Sequence, residues 1–439
     1  MGILEITAVL VALAAAFAFI NHKLLRMPAT IGLMLLGLLH AIGVLAAGLV
    51  WPGAAQSAET FVRSIDFNET LMHGMLGYLL FAGALHVNLN DLRGQSFVVG
   101  LLATVGVLFS TFSVGGAMYL ILPLLGLELD LIYCLLFGSL IAPTDPIAVL
   151  SILKSLGAPK TLETKITGES LFNDGVGVVV FLALLGFAGL GAHGHAEAPS
   201  TSEVAKLFAV EAGGGALFGL GLGLLAYTML RSIDDYKTEI LISLALVTGG
   251  YCLASLLHLS GPIAMVVAGL LIGNQGRTFA MSHTTREHLD TFWELVDEML
   301  NAVLFVLIGL EVLVLTLDHR YLLAGVLAIP LSLLARFISV GGVVTALRPF
   351  RQGERAFTPH ATKVMVWGGL RGGISIALAL SLKDALSHSD HAETQATTSE
   401  IIVTMTYVVV AFSILAQGLT MGPLLRKLGL AGQAPADAH

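Results

Sequence analysis

Asp174 is the residue around which this sequence can do ion chemistry. In GESLFNDG, at 168–175, Ser170 and Asp174 stand four residues apart and share one helix face, while Glu169 and Asn173 share the adjacent face. The helix continues at 178–185 as an almost wholly apolar run, so this polar turn is not an aqueous loop. A carboxylate near a bilayer centre costs roughly 2.5–3.5 kcal/mol on insertion scales, and such groups are usually retained for a polar pathway inside the protein. Nearby, APTDP at 142–146 sets Thr144 and Asp145 between Pro143 and Pro146. Each proline removes a backbone donor and disrupts the turn before it, which frees carbonyl oxygens. A small hard cation such as Na⁺ takes oxygen ligands. Those offered here are the Asp174 carboxylate, the Ser170 hydroxyl, and the Thr144 hydroxyl or carbonyl. Asp174 is expected to carry the transported charge, and the pattern implies an ion-coupled transporter.

A second break, GGLRGGIS at 368–375, places Arg371 among four glycines. An unpaired guanidinium inside a membrane is expensive, so Arg371 needs an acid, and Glu169 is the expected partner in a structural ion pair. Two broken helices also expose half-helix ends. Asp145 can offset a positive N-terminal end and Arg371 a negative C-terminal end of the facing break.

The elements that hold these residues must be membrane helices. The chain has 439 residues, 56% hydrophobic and only 12% charged, too few charges for a water-facing surface over most of its length. Apolar stretches long enough to cross a hydrocarbon core of about 30 Å predict 13 spans, and no loop between them is long enough for a soluble domain. Alternate connections collect 16 of the 22 lysines and arginines, among them Lys23, Arg93, Lys154, Lys160, Arg277 and Arg348. The other connections hold Arg63, Lys206, Arg320 and Lys383, and Arg336 and Arg371 lie inside apolar segments. Basic residues gather on the cytoplasmic side, which predicts an external N-terminus and a cytoplasmic C-terminus in the plasma (inner) membrane. The first segment has no basic residue before it and is read as an uncleaved span.

The broken segments are the fifth and twelfth spans, seven apart, as an inverted repeat of spans 1–6 against 8–13 would place them. Gly/Pro-interrupted segments at matching positions of two halves point to a transporter's binding site. Gly215, Gly219 and Gly223 form a stripe on span 7 that allows close helix packing, inside the chain or between two copies. Polar or small-residue loops are expected at 52–69, 191–202, 348–359 and 387–400. Cys134 and Cys252 lack partners for a disulfide or metal site. His40, His73, His86 and His258 are read as interfacial, and His193, His195, His388 and His391 as loop residues. Glu311 has even claims to an outer-funnel role and to packing. Nucleic acid is not an expected partner, since no basic patch is present.

The motifs APTDP at 142–146, GESLFNDG at 168–175, SGPIAMVVAGLLIGN at 260–274, LNAVLFVLIGLE at 300–311, ARFISV at 335–340 and GGLRGGISIALALSL at 368–382 run in order over most of the chain. The sequence resembles the bacterial NhaP-type sodium/proton antiporters, relatives of the eukaryotic sodium/proton exchangers. The resemblance implies an all-α integral membrane protein of about 13 helices, with an inverted repeat and two interrupted crossing helices, the NhaA-like antiporter fold. It implies a homodimer in which core helices 4–6 (96–192) and 11–13 (320–427) move against dimerisation helices 1–3 (1–95) and 8–10 (238–318). Helix 7 (203–230) links them, and 428–439 forms a cytoplasmic tail. Asp174 becomes the shared cation and proton site, Thr144 and Ser170 further ligands, with the neutral neighbour Asn173 and Asp145 completing the ion- and proton-binding set, and Glu169 with Arg371 the structural ion pair. Arg336 would stabilise the core through Asp145 or helix ends. The related electrogenic branch looks to have a second aspartate where this chain has Asn173, so exchange of one Na⁺ (or Li⁺) for one H⁺ is expected, without net charge and by elevator-type alternating access. No enzyme activity and no cofactor are expected; Na⁺ and H⁺ are cargo.

One departure stands in the third span, where LLFAGAL at 79–85 has Ala82 in a position that is acidic in many relatives. K⁺/H⁺ or broadly monovalent exchange is therefore the alternative. An intramembrane aspartyl protease using Asp145 and Asp174 is a distant one, since neither acid sits in that class's sequence context.

Overall fold

In hydrocarbon, backbone N–H and C=O groups must be satisfied within the chain, and the helix is the element that does so segment by segment. The computed structural model describes residues 2–190, 206, 209–350, 357–387 and 392–432. His193, His195, His388 and His391 lie outside them. The described residues form helices joined by short connections, without a strand. In chain order the main ones are α1 (Leu4–Leu25), α2 (Ala29–Gly48), α3 (67–85), α4 (Leu89–Leu125), α5a (Leu131–Ile141), α5b (Ile147–Ser155), α6 (Lys160–Phe187), α7 (Ala209–Arg231), α8 (Tyr236–Leu256), α9 (Gly261–Leu271), α10 (His283–Leu310), α11 (His319–Leu347), α12a (Ala361–Trp367), α12b (Gly373–Ser387) and α13 (392–427). Eight of the described helices are individually long and apolar enough to cross a membrane. Of the others, α10 is long but charged over its first half, α5 and α12 are interrupted, and the rest are shorter.

Side chains at helix starts fix several boundaries. Asn88, Asp235, Ser260, Ser282 and Asp318 each accept a hydrogen bond from a backbone N–H of the first turn that follows. At Asp235 and Asp318, outside the spans, hydrogen bonds from the Thr238 hydroxyl and the Arg320 guanidinium, and after them these backbone bonds, hold the carboxyls below the usual carboxylate range.

Two expected loops are helical instead. Within 52–69 the chain forms a helix at Pro52–Arg63. Pro52 presets the first turn, and Glu59 pairs with Arg63 at 2.9 Å across one turn, so an amphipathic stretch of low apolar content still winds. The last helix likewise begins at Ala392, inside the loop expected at 387–400. α10 starts at His283, well before its apolar part, because its first turns are amphipathic.

Buried side chains divide the packing. Val114, Phe137, Phe181, Ala328, Leu378 and Met405 join α4, α5a, α6, α11, α12b and α13. Phe81, Ala226, Val247, Ala268 and Trp293 join α3 with α7–α10. Ile31, Met34, Val149, Phe305 and Met365 join α2 and α10 to α5b and α12a. The glycine stripe of α7 faces α9 of the same chain. A Cβ on Gly219 would collide with the Ala264 backbone, and one on Gly215 with Ser260. Gly219→Leu should therefore cost about 1–3 kcal/mol through overpacking. A lowered thermal midpoint of the purified protein is the expected readout, with little change for Leu217→Ala, whose side chain is exposed on the same helix.

Candidate functional site

The two broken helices cross at their breaks, and the freed carbonyls dictate how. Pro146 has no N–H for the Ala142 carbonyl four residues earlier. The Thr144 N–H, which would serve Leu140, donates instead to Asn173 Oδ1 at 3.2 Å. The Ile147 N–H, which would serve Pro143, donates to Asp145 Oδ1 at 2.9 Å. The Leu140, Ala142 and Pro143 carbonyls are among those left over at the end of α5a. Arg371 Nη1 donates to two of them, Ala142 at 2.5 Å and Pro143 at 2.8 Å. The Ser375 hydroxyl donates to Leu140 at 2.7 Å. Where the two unwound segments cross, the Asp145 N–H donates to the Leu370 carbonyl at 2.7 Å. Gly372 packs against the Asp145 side chain, and a Cβ there would occupy the same space.

The end of α12a is treated in the same way. Its Met365 carbonyl accepts from Arg336 Nε at 3.0 Å and its Trp367 carbonyl from Gln417 Nε2 at 2.9 Å. The Arg371 N–H turns to Ser413 Oγ at 2.8 Å. Each negative helix end thus meets a guanidinium, and Asp145 caps the positive end of α5b.

The remaining contacts correct one expectation. Glu169 pairs with Arg336, not with Arg371: Nη1 donates to Oε1 at 2.9 Å and Nη2 to Oε2 at 3.2 Å. Arg371 is committed to the α5a carbonyls, whereas Arg336 on α11 reaches Glu169 and the end of α12a with one planar group. Gly369 allows this, since a Cβ there would overlap the Arg336 guanidinium. Arg336 does meet a helix end, but its carboxylate partner is Glu169 and not Asp145.

Thr144, Ser170 and Asn173 come together at the crossing. Asn173 Nδ2 donates to Thr144 Oγ1 at 2.8 Å, and the Thr144 and Ser170 hydroxyls are 3.0 Å apart. The Asn173 amide is therefore occupied on both its oxygen and its nitrogen in fastening α6 to the break. Asp174, 8% exposed, lies beside this cluster and lines a cavity of about 1790 Å³ together with Asp145, Pro143 and Gly372. The same cavity is lined by Arg93, Lys154, Lys160, Arg277 and Arg286, all near helix ends. These belong to the connections rich in positive charge. Asp174 thus has access to one side of the protein, the basic side. Ala82 is buried at 1% exposure in the cavity wall and supplies no ligand.

Asp297 and Asn301 of α10 also line the cavity, and sequence reading missed them. A signal was available: Glu287, Asp290, Glu294, Asp297, Glu298 and Asn301 recur at helical spacing after the Ser282 cap.

Residues 9–427 match the family model described as sodium/hydrogen exchanger, transmembrane. The chain belongs to that family. It is 49% identical over 431 residues to the Na⁺/H⁺ antiporter NhaP of Pseudomonas aeruginosa, covering 98% of each chain. It is 35% identical over 420 residues to the Na⁺/H⁺ antiporter NhaH of Halobacillus dabanensis, covering 93% of this chain and 94% of that one. Its fold matches the sodium proton antiporter MjNhaP1 of Methanocaldococcus jannaschii with a TM-score of 0.74 at 20% identity, over 98% of this chain and 99% of the other. The all-helical antiporter architecture is therefore that of a solved structure.

Removing one partner of a buried ion pair costs about 3–5 kcal/mol, because the other charge stays buried alone. Arg336→Gln should accordingly lower the thermal midpoint sharply. Arg336→Met with Glu169→Gln, which leaves neither charge, should recover part of the loss. Both are read by size-exclusion chromatography after heating.

Proposed function

We propose that this protein exchanges Na⁺ for H⁺ across the plasma membrane, one for one, with Asp174 as the site that either ion occupies. The observation that carries the reading is the position of Asp174. It is the acid of the α6 cluster that no basic side chain neutralises among the described residues, and it stands at the crossing of the breaks on the wall of a cavity open to one side. Family membership and full-length relatives named as Na⁺/H⁺ antiporters support the same cargo.

Na⁺ would be held by the Asp174 carboxylate and the Ser170 and Thr144 oxygens. Protonation of Asp174 would remove the charge that attracts it, so the two ions compete and cross by turns. Glu169 is neutralised by Arg336, Asn173 carries no charge, and Asp145 is held by the backbone of α5b. One titrating charge leaves one ion per crossing and no net current. In this reading α4–α6 and α11–α13 move as a unit against the remaining helices in a homodimer. The cavity faces the cytoplasm, with the N-terminus outside and the C-terminus inside. The apolar Ala82 wall keeps K⁺ as the competing cargo to be tested. An aspartyl protease is disfavoured, since Asp145 serves as a helix cap and the chain belongs to an exchanger family.

Purified protein in liposomes should move protons when Na⁺ is added, at the same rate with the membrane potential clamped or free. Asp174→Asn should abolish this while the protein still elutes as a folded species. Exchange retained in Asp174→Asn removes it as the carrier, and protons moved by K⁺ alone replace the cargo. Competition also fixes a pH dependence: at constant Na⁺ the rate falls on the acid side, and raising Na⁺ shifts that limb to lower pH.

A further inference from the structure

The strip of α10 that faces the cavity carries groups that the site at Asp174 does not use. Asn301 is 4% exposed and forms part of the cavity wall. Its Nδ2 faces the Asp297 carboxylate, while its Oδ1 is buried without a hydrogen-bond partner. A buried amide left in this condition costs about 1–3 kcal/mol, a cost that an ion coordinated by its oxygen would reduce. Asp297 is one helical turn earlier on the same face, half-buried, and lines the same cavity. Its neighbour Asp290 is taken by Arg277, and Lys160 on the far wall faces Asp91 at 3.3 Å. Asp297 makes no ion pair among the described residues. A single free carboxylate beside an unpartnered amide oxygen is a hard, oxygen-donor pair suited to a monovalent cation.

We propose that Asp297 and Asn301 form a second, weaker monovalent-cation site on the cavity wall, which holds Na⁺ on its way to Asp174. The proposal rests on Na⁺ being the cargo. It adds that the cation is first held by α10, outside the α4–α6 and α11–α13 unit, and then passed to α6. Its effect is to raise the local Na⁺ concentration at Asp174, so its loss acts on apparent affinity.

The test is the Na⁺ concentration for half-maximal exchange in liposomes, measured for wild type, Asp297→Asn, Asn301→Leu and Asp297→Glu. Under the proposal Asp297→Asn and Asn301→Leu each raise it about five-fold or more, as expected for removing one ligand of a charged site. Asp297→Glu should return it to near the wild-type value. Values in Asp297→Asn and Asn301→Leu indistinguishable from wild type overturn the proposal. So does a reduced maximal rate with unchanged half-saturation, which marks a structural role. If those variants do not fold, Asp174→Asn, which keeps the second site, decides: a higher thermal midpoint in Na⁺ than in choline supports it, and no difference overturns it. A wild-type protein that fails to exchange Na⁺ for H⁺ refutes the function itself, a result separate from any difference among these variants.

Discussion

Two helices broken at facing positions leave carbonyl groups that lipid cannot solvate, and most of the site follows from how they are satisfied. Pro143 and Pro146 create the deficit in α5, and the Arg371 guanidinium, donating to Ala142 and Pro143, meets it from the opposite break. The Asp145 to Leu370 bridge locks the crossing. Because Arg371 is used in this way, Glu169 is left for Arg336, which in turn answers the end of α12a at Met365. Arg371, Arg336 and Asp145 hold backbone groups and Glu169 pairs with Arg336, so Asp174 is the charge at the crossing without such a commitment, which is why the proposed exchange is placed on it.

The arrangement also explains the neighbouring neutral residue. Asn173 grips Thr144 through both amide atoms, so it contributes rigidity where an acid would contribute a second charge. A carboxylate has no N–H to donate to the Thr144 hydroxyl, so one substitution at this position would alter both the fastening of the break and the charge beside Asp174.

Much of this was legible in the sequence. Prolines, glycines and charges inside apolar segments are costly in a membrane, so LIAPTDPIAV, GESLFNDG and GGLRGGIS announced the breaks, and the spacing of Ser170 and Asp174 announced the shared face. The choice between Arg336 and Arg371 as partner of Glu169 was not legible. It depends on where α11 docks and on which carbonyls each guanidinium meets first, and neither is a property of spacing. The early start of α10 escaped because hydropathy registers only the apolar half of a helix. The helix at Pro52–Arg63 escaped for the same reason, since its amphipathic pattern carries little apolar signal. Asp297 and Asn301 lay inside the apolar span, Asn301 within the motif at 300–311, but spacing alone does not tell which face of a span meets a cavity.

The central claim is that one carboxylate, Asp174, alternately carries one Na⁺ or one H⁺. The most direct measurement is the null point of exchange in liposomes, the proton gradient at which an imposed Na⁺ gradient drives no net flux. The two gradients should balance decade for decade, and the null point should not move when the membrane potential is changed. A null point that shifts with potential means that net charge crosses in each cycle, and would contradict a single shared site.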